Sequence, residues 1–537
     1  MRKMIDALVV IALLLFVLTA CLQTNTEQTE GEITLTESWD FAGGFYPIET
    51  LTVNANYGPQ FYMVNFYETL VRYKDGEIIP GLAESWEISE DGLIYTFHLR
   101  EQVKFSDGSP FNAEAVKRNL EVIPANLGPM NGGLGTVSTL LDQIVVIDTH
   151  TVEVHLTAPY YGALKDFTLM NPMAMVSPDA FNADGSPGDV LRTGTFGTGP
   201  YMYEGETDGT TYTFVKNPHY WGEEPEVERF HVKVIPDNDT KLLALRNGEV
   251  DILVGTRHMS YDRFNEMKKS GYGAQISEGI ASNTRYLAFN VSKAPFDDRN
   301  VRLAASRAID KEGVVQSIFT GIETKADSIF DPAMPYSNVE LVPHAYDMDQ
   351  AKLILEDAGW VDTDGDGVRE KDGKRLAGEI LYIKGDAMID DLLLAISAQW
   401  NELGMDIKPK GMEKMTFHAE FAKADFDLAF YETYGSAWDP HTSMTNMKPD
   451  YRHGYPAAQA LALVENGNEI IDALNVSTDE EQIQEIYDLV LNEINDQAIL
   501  IPLSYTKELA LYNSQRIAHY SFNGQPADID VAAIQLK

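Results

Sequence analysis

The sequence predicts an α/β fold. Short β-rich runs alternate with helical patterns from about Glu32 onward, and turn clusters such as Ser89–Gly92 and Ser106–Phe111 separate them. Apolar residues reach 44% and aromatics 10%, enough to build substantial cores, so disorder is not the default. A chain of 537 residues holds several ordinary domains or one large two-lobed body.

The elements follow in order. "LIYTFHL" (Leu93–Leu99) alternates as a half-buried strand between two turns. "NAEAVKRNLEVI" is a helix capped by Asn112, and "IVVIDTHTVEVHL" is a hairpin turning at Asp148–His150. "TKLLALRNGEVDILVG" is a helix stopped at Gly248 and followed by a buried strand. "DRNVRLAASRAIDKEGVVQSIFTG" is a helix pair, and "DMDQAKLILEDAGW" an Asp-capped helix ended at Gly359. "STDEEQIQEIYDLVLNEI" opens with a capping box, Ser477 to Glu480. The segment "FYETYGSAWDPHTSMTNMKPDYRHGYP" (430–456) is too punctuated by Gly and Pro to be one helix or strand. It gathers aromatics, two histidines and an arginine.

Charge narrows the function classes. The formal net charge of −41 repels nucleic acid and anionic lipid and leaves no basic track for phosphates. Most of these carboxylates form a solvated face. At the N-terminus, Arg2 and Lys3 precede an apolar run from Ala7 to Ala20, the length of a signal-peptide core and short for a membrane span. It ends in "LTAC", which resembles the bacterial lipoprotein signal, with Cys21 as the lipidated first residue of the mature chain. A plain secretory signal is the alternative. Cys21 is the only cysteine in the sequence, so it has no disulfide partner. Removal of Arg2, Lys3 and Asp6 leaves 39 basic and 81 acidic residues, net −42. Residues 21–31 then read as a polar leash. The expected location is the outer side of the cell membrane or the periplasm, held by acyl chains.

Several blocks carry a resemblance. "GLAESWEISEDGLIYTFHLREQVKFSDGSPFNAEAVKRNLE", "FGTGPY", "NPHYWGEEPEVERFHVKVIPD", "NGEVDIL", "VRLAASRAIDKE", "AKLILEDAGW" and "IPLSY" occur in this order. Together they resemble the family 5 extracellular solute-binding proteins of ABC importers, whose members take oligopeptides, nickel and opine-like chelates. The resemblance implies a two-lobed periplasmic-binding-protein-like fold of large type II around a central cleft. It places lobe I at 32–282, with an extra subdomain at roughly 75–215. Lobe II spans 283–504, and 505–537 returns to lobe I. Trp86, Phe97 and Trp221 are expected in packing rather than at the ligand.

"DPAMPYSNVELVPHAYDMDQAKLILEDAGW" and "TYGSAWDPHTSM" look closest to the nickel-binding branch. That likeness implies Tyr434 and Trp438 as aromatic walls and Gln60 as a cleft-facing position. Counting forward from "WDPH", the branch's metal-binding histidine falls on Arg452, with His453 next; a one-residue adjustment makes His453 the metal ligand. His441 is expected in a structural hydrogen bond. Members binding anionic chelates place first-lobe arginines near "VIPANLGPMNGGLGTVSTL" and "LMNPMAMVSP". Neither stretch contains one here, and Asn171 takes the most telling position. In "TRHMS" (256–260), His258 and Met259 follow a strand that should end near the cleft, making His258 a further ligand candidate.

"DTDGDGVREKDG" (362–373) matches the first positions of a calcium loop but ends on Gly373 rather than Glu, so a surface turn is the default. The sequence has no GxSxG, HExxH or phosphate-loop motif, and catalysis is not expected. The reading is a monomeric importer component with no permanent cofactor. Its cargo is nickel(II) with an organic chelator, or alternatively a short peptide, passed to ABC permease subunits.

Overall fold

The computed structural model describes residues 30–48, 58–74, 77–128, 131–132, 135–281, 283–423, 425–433, 440–448 and 456–537. Cys21, Tyr434, Trp438, Arg452 and His453 lie outside the described residues.

Lobe I is built on a four-stranded sheet. Glu32–Glu37 pairs in parallel with Arg229–Val234, which continues antiparallel to Thr211–Lys216 and Tyr201–Thr207. A second sheet sets Leu509–Tyr512 between Ile252–Val254 and Gly273–Ile276, tying the chain's late return into the first lobe. The subdomain contributes an antiparallel sheet, Ala83–Ile88, Ile94–Leu99, Thr151–Leu156 and Leu141–Asp148. Tyr201–Thr207 and Thr211–Lys216 therefore belong to the main sheet of lobe I, and the expected subdomain limit near 215 moves back to before Tyr201. The reason is the ladder of Thr211–Lys216 on Arg229–Val234.

Lobe II has one six-stranded mixed sheet in the order Thr324–Lys325, Leu500–Tyr505, Thr284–Phe289, Leu428–Glu432, Ala377–Ile383, Asp406–Met412. The chain leaves lobe I after Ile276 and re-enters it at Leu509. Two large apolar cores form: one gathers Phe41, Phe45, Phe66 and Phe214, and the other, around Phe289, Trp400, Leu428 and Tyr487, extends into lobe I through Leu253, Phe264 and Leu511.

Local sequence explains these elements. Ile94–Leu99 buries alternate residues, with Phe97 fully inside and opposite Trp86. Asn112 caps Ala113–Leu127 by accepting from the Ala115 amide at 3.0 Å. Gly248 ends Asn238–Asn247 in the left-handed region at φ 74°. Within "FGTGPY", a Cβ on Gly197 would lie 2.1 Å from the Phe66 carbonyl, so only glycine lets the two backbones meet. Trp221 is half-buried and donates to Glu68 at 2.6 Å, a packing role.

One helix start differs from expectation. Glu480–Asp496 is capped by Asp479, which accepts from Glu481 and Gln482, while Ser477 receives the Asp479 amide at 3.2 Å. The Asp side chain sits next to the free amides and takes them. The 362–373 segment is a turn feeding a small hairpin, Glu370–Lys371 with Lys374–Arg375, through Asp372 (φ 51°) and Gly373 (φ 78°). Asp362 accepts from the amides of Gly365 and Gly367. Asp362, Asp364 and Glu370 bring oxygens within 4.8 Å of one another, whereas Asp366 pairs with Arg375 at 2.7 Å.

Candidate functional site

The carboxyl ends of the lobe I strands converge on one wall. Glu32–Glu37 leads to Trp39, and Ile252–Val254 leads through Gly255 to Arg257 and His258. Ligands in open α/β sheets gather at such ends. Pro59–Asn65 brings Gln60 and Phe61 alongside, and the Phe61 ring lies 6.3 Å from Trp39. The Arg257 guanidinium stacks over Phe61 at 3.6 Å and donates to Glu37 at 3.0 Å.

Behind Arg257 lies a buried cluster. Lys241 donates to Ser38 at 2.6 Å and lies 2.8 Å from Nδ1 of His258, whose Nε2 faces Glu37 at 3.6 Å. Burial pushes the Glu37 carboxyl up, but Arg257 and then His258 outweigh it and hold it well below the usual range. Burial pushes His258 down to about 4 and Lys241 down to about 8. At neutral pH His258 is thus an uncharged imidazole that accepts from the Lys241 ammonium and turns its N–H toward Glu37. His258 is 0% exposed. The sequence reading placed it at the ligand; the fold puts it behind Arg257, because the strand end turns the Arg257 side chain onto Phe61 and tucks the imidazole beneath.

Lobe II presents its own wall at the carboxyl ends of Ala377–Ile383 and Leu428–Glu432, which run parallel. Glu432 pairs with Arg285, which also binds Glu323 at 3.1 Å. Glu323 accepts from Tyr261 of lobe I at 2.6 Å and from Ser504. Burial pushes the Glu432 carboxyl up, and Arg285 opposes this. The pair sits beside the crossover strands, so a shift of one lobe is felt there.

A second contact joins the lobes. Asp166 of the subdomain accepts from the Val137 amide at 2.8 Å and holds Nε2 of His441 at 2.6 Å, both side chains at most 1% exposed. The expected structural bond of His441 is therefore an interlobe bond. Tyr161 meets Tyr487 hydroxyl to hydroxyl at 3.2 Å, and Lys165 lies 5.2 Å over the Tyr336 ring.

Of the residues singled out in the sequence, Gln60 lies half-buried on the lobe I wall. Asn171 is half-buried in the short helix Met170–Met173, and its Oδ1 has no hydrogen-bond partner among the described residues. Arg257 and Glu37 were not anticipated. The signal for Arg257 was its place beside His258 in "TRHMS"; Glu37 offered none, being one acid among 82.

A model of bacterial extracellular solute-binding proteins, family 5, matches residues 77–454. The chain belongs to that family. Against the nickel-binding periplasmic protein of Escherichia coli (strain K12) it is 32% identical over 444 residues, covering 82% of this chain and 83% of the relative. The crystal structure of NikA from Brucella suis in complex with Fe(III)-EDTA superposes with a TM-score of 0.86 at 31% identity, covering 94% of this chain and 100% of that one. A probable D,D-dipeptide-binding periplasmic protein of Escherichia coli is 27% identical over 467 residues, 85% of this chain and 86% of the relative. Family 5 members are extracytoplasmic solute-binding proteins, and among the described residues no helix is long and apolar enough to cross a membrane.

Proposed function

We propose that this chain is the capture component of an ABC importer, tethered outside the cytoplasmic membrane by lipid on Cys21, and that it takes up nickel as a complex with a small organic chelator. The observation that carries this reading is the higher identity to the nickel-binding relative, 32% against 27% for the dipeptide-binding one at similar coverage. Nickel is cargo here, so the chain needs no resident cofactor, and its work is capture rather than catalysis. Imidazole suits nickel, which makes His453 the candidate direct ligand, with Tyr434 and Trp438 as walls and Arg452 beside them. Closure follows from differential affinity: a ligand touching both walls stabilises the closed arrangement, which the permease subunits recognise.

A short peptide is the second reading. It is favoured by the lack of arginine in the two first-lobe stretches around Asn171, which removes bidentate recognition of an anionic chelate from that side. Calorimetric titration with nickel alone, nickel plus excess free histidine, and a peptide mixture separates the two. Tight nickel binding that needs the chelator and weakens in His453→Ala supports the first; heat from the peptide mixture alone supports the second. For the anchor, Cys21→Ser should move the protein from the detergent phase to the aqueous phase, and an unchanged partition would refute lipidation.

A further inference from the structure

Asn446 closes the helix His441–Asn446 and is 1% exposed, yet neither its Nδ2 nor its Oδ1 has a hydrogen-bond partner among the described residues. Buried carboxamides are ordinarily satisfied, because leaving one unmade forfeits its hydration with nothing in return. The exception needs an explanation, and its surroundings supply one. Asn446 lines a cavity of about 10 Å³ together with Ser443, Met447, Glu432, Thr433 and Tyr286. Thr433 and Glu432 stand at the carboxyl end of Leu428–Glu432, the lobe II wall described above. Among the described lining residues the only acidic side chain is Glu432, which also pairs with Arg285. The space is that of one water-sized group, room for no more than the tip of a larger molecule.

We propose that Asn446 is a ligand contact, its carboxamide completed by an N–H donor of the bound molecule that enters this cavity beside Glu432 and by a neighbouring oxygen that stays at the cavity mouth. A carboxamide offers both an acceptor and donors, so its partner must carry both. That chemistry is shared by a peptide unit and by the amino-acid end of a chelator. The inference rests on the capture function proposed above and names the part of the cargo that lobe II reads.

The test compares the purified full chain with Asn446→Ala and Asn446→Leu, by thermal unfolding without ligand and by titration with nickel plus histidine and with a peptide mixture. The expected result is an unfolding midpoint equal to or above wild type in at least one variant, with affinity lower by tenfold or more for whichever probe the wild type binds. Loss in the nickel–histidine arm assigns the group to a chelator, loss in the peptide arm to a peptide. Two results overturn the proposal: both variants unfolding earlier or failing to fold, which makes the carboxamide structural, or affinity unchanged, which leaves only a trapped water. If the wild type binds neither probe, the capture reading fails separately. The ligand-free midpoints then decide, a raised one supporting a functional group kept at the expense of stability and a lowered one overturning it.

Discussion

Two buried polar sites, one on each wall of the cleft, are handled in opposite ways. In lobe I, Glu37, Arg257, His258 and Lys241 are packed against one another, so each charge taken out of water meets an opposite charge or a neutral acceptor. In lobe II, the Asn446 carboxamide is equally buried and has no hydrogen-bond partner among the described residues. The first arrangement shapes a rigid surface and holds Arg257 flat on Phe61. The second leaves a vacancy in hydrogen bonding that a bound molecule can fill. On the proposal above, compensation marks scaffold at the first site and its lack marks recognition at the second.

That contrast is broken most forcefully at Glu37. Glu37→Ala removes the one anion facing both Arg257 and His258, leaving Arg257 buried without its partner. Removing one member of a buried pair typically costs about 3–5 kcal/mol. Denaturant unfolding should show a loss of that size; a loss under about 1 kcal/mol would mean the cluster does not act as a unit.

The same cluster predicts an acid-side weakness. His258 has its pKa depressed from 6.5 to about 4 by burial. Between those values the unfolded chain binds a proton that the folded chain refuses, so stability falls as pH drops from 6.5 towards 4. Each unit contributes about 1.4 kcal/mol, giving about 3 kcal/mol over the window. His258→Gln removes this titration, and its stability profile should be flatter by that amount. His344, also depressed to about 4 by burial, keeps the residual slope. Parallel profiles for the two proteins would show that His258 does not titrate as described.

The bond between Asp166 and His441 stands between the two walls. His441→Ala leaves the Asp166 carboxylate buried with the Val137 amide as its remaining partner, which weakens the interlobe contact. Small-angle scattering should show a larger radius of gyration for the ligand-free variant. Affinity for cargo should fall about tenfold, roughly 1.4 kcal/mol, because more of the molecule must be closed by the ligand itself. Identical scattering curves would confine the pair to local packing.

How much of this was legible in the sequence depends on the range of the interaction. Leu93–Leu99 and the Asn112 cap are set within a few residues, and the α/β class followed from alternating patterns of the same short reach. Family blocks led to an expected crossing between lobes at 282–283. The cluster on the lobe I wall joins residues about 200 positions apart, Glu37 with Arg257 at 3.0 Å, and nothing local distinguishes that glutamate from its neighbours. His258 was found for a sound reason, a strand end near the cleft, and misassigned because periodicity does not say which of two adjacent side chains turns inward. Asn446 left no trace at all, since its defining property is a hydrogen bond not made.

The smallest effect tests whether lobe II satisfies its polar groups wherever no ligand is concerned. Asp479 accepts from two free amides at the start of Glu480–Asp496, whereas Ser477 lies one step further out. Asp479→Ala should lower stability by about 1 kcal/mol, the ordinary value of a helix cap, and Ser477→Ala by less. The order matters more than the size. If Ser477 proves the stronger, the capping box anticipated from the sequence operates in solution and the helix begins earlier than Glu480. If Asp479 dominates, lobe II completes this exposed helix start with its own side chains, in contrast to the carboxamide of Asn446.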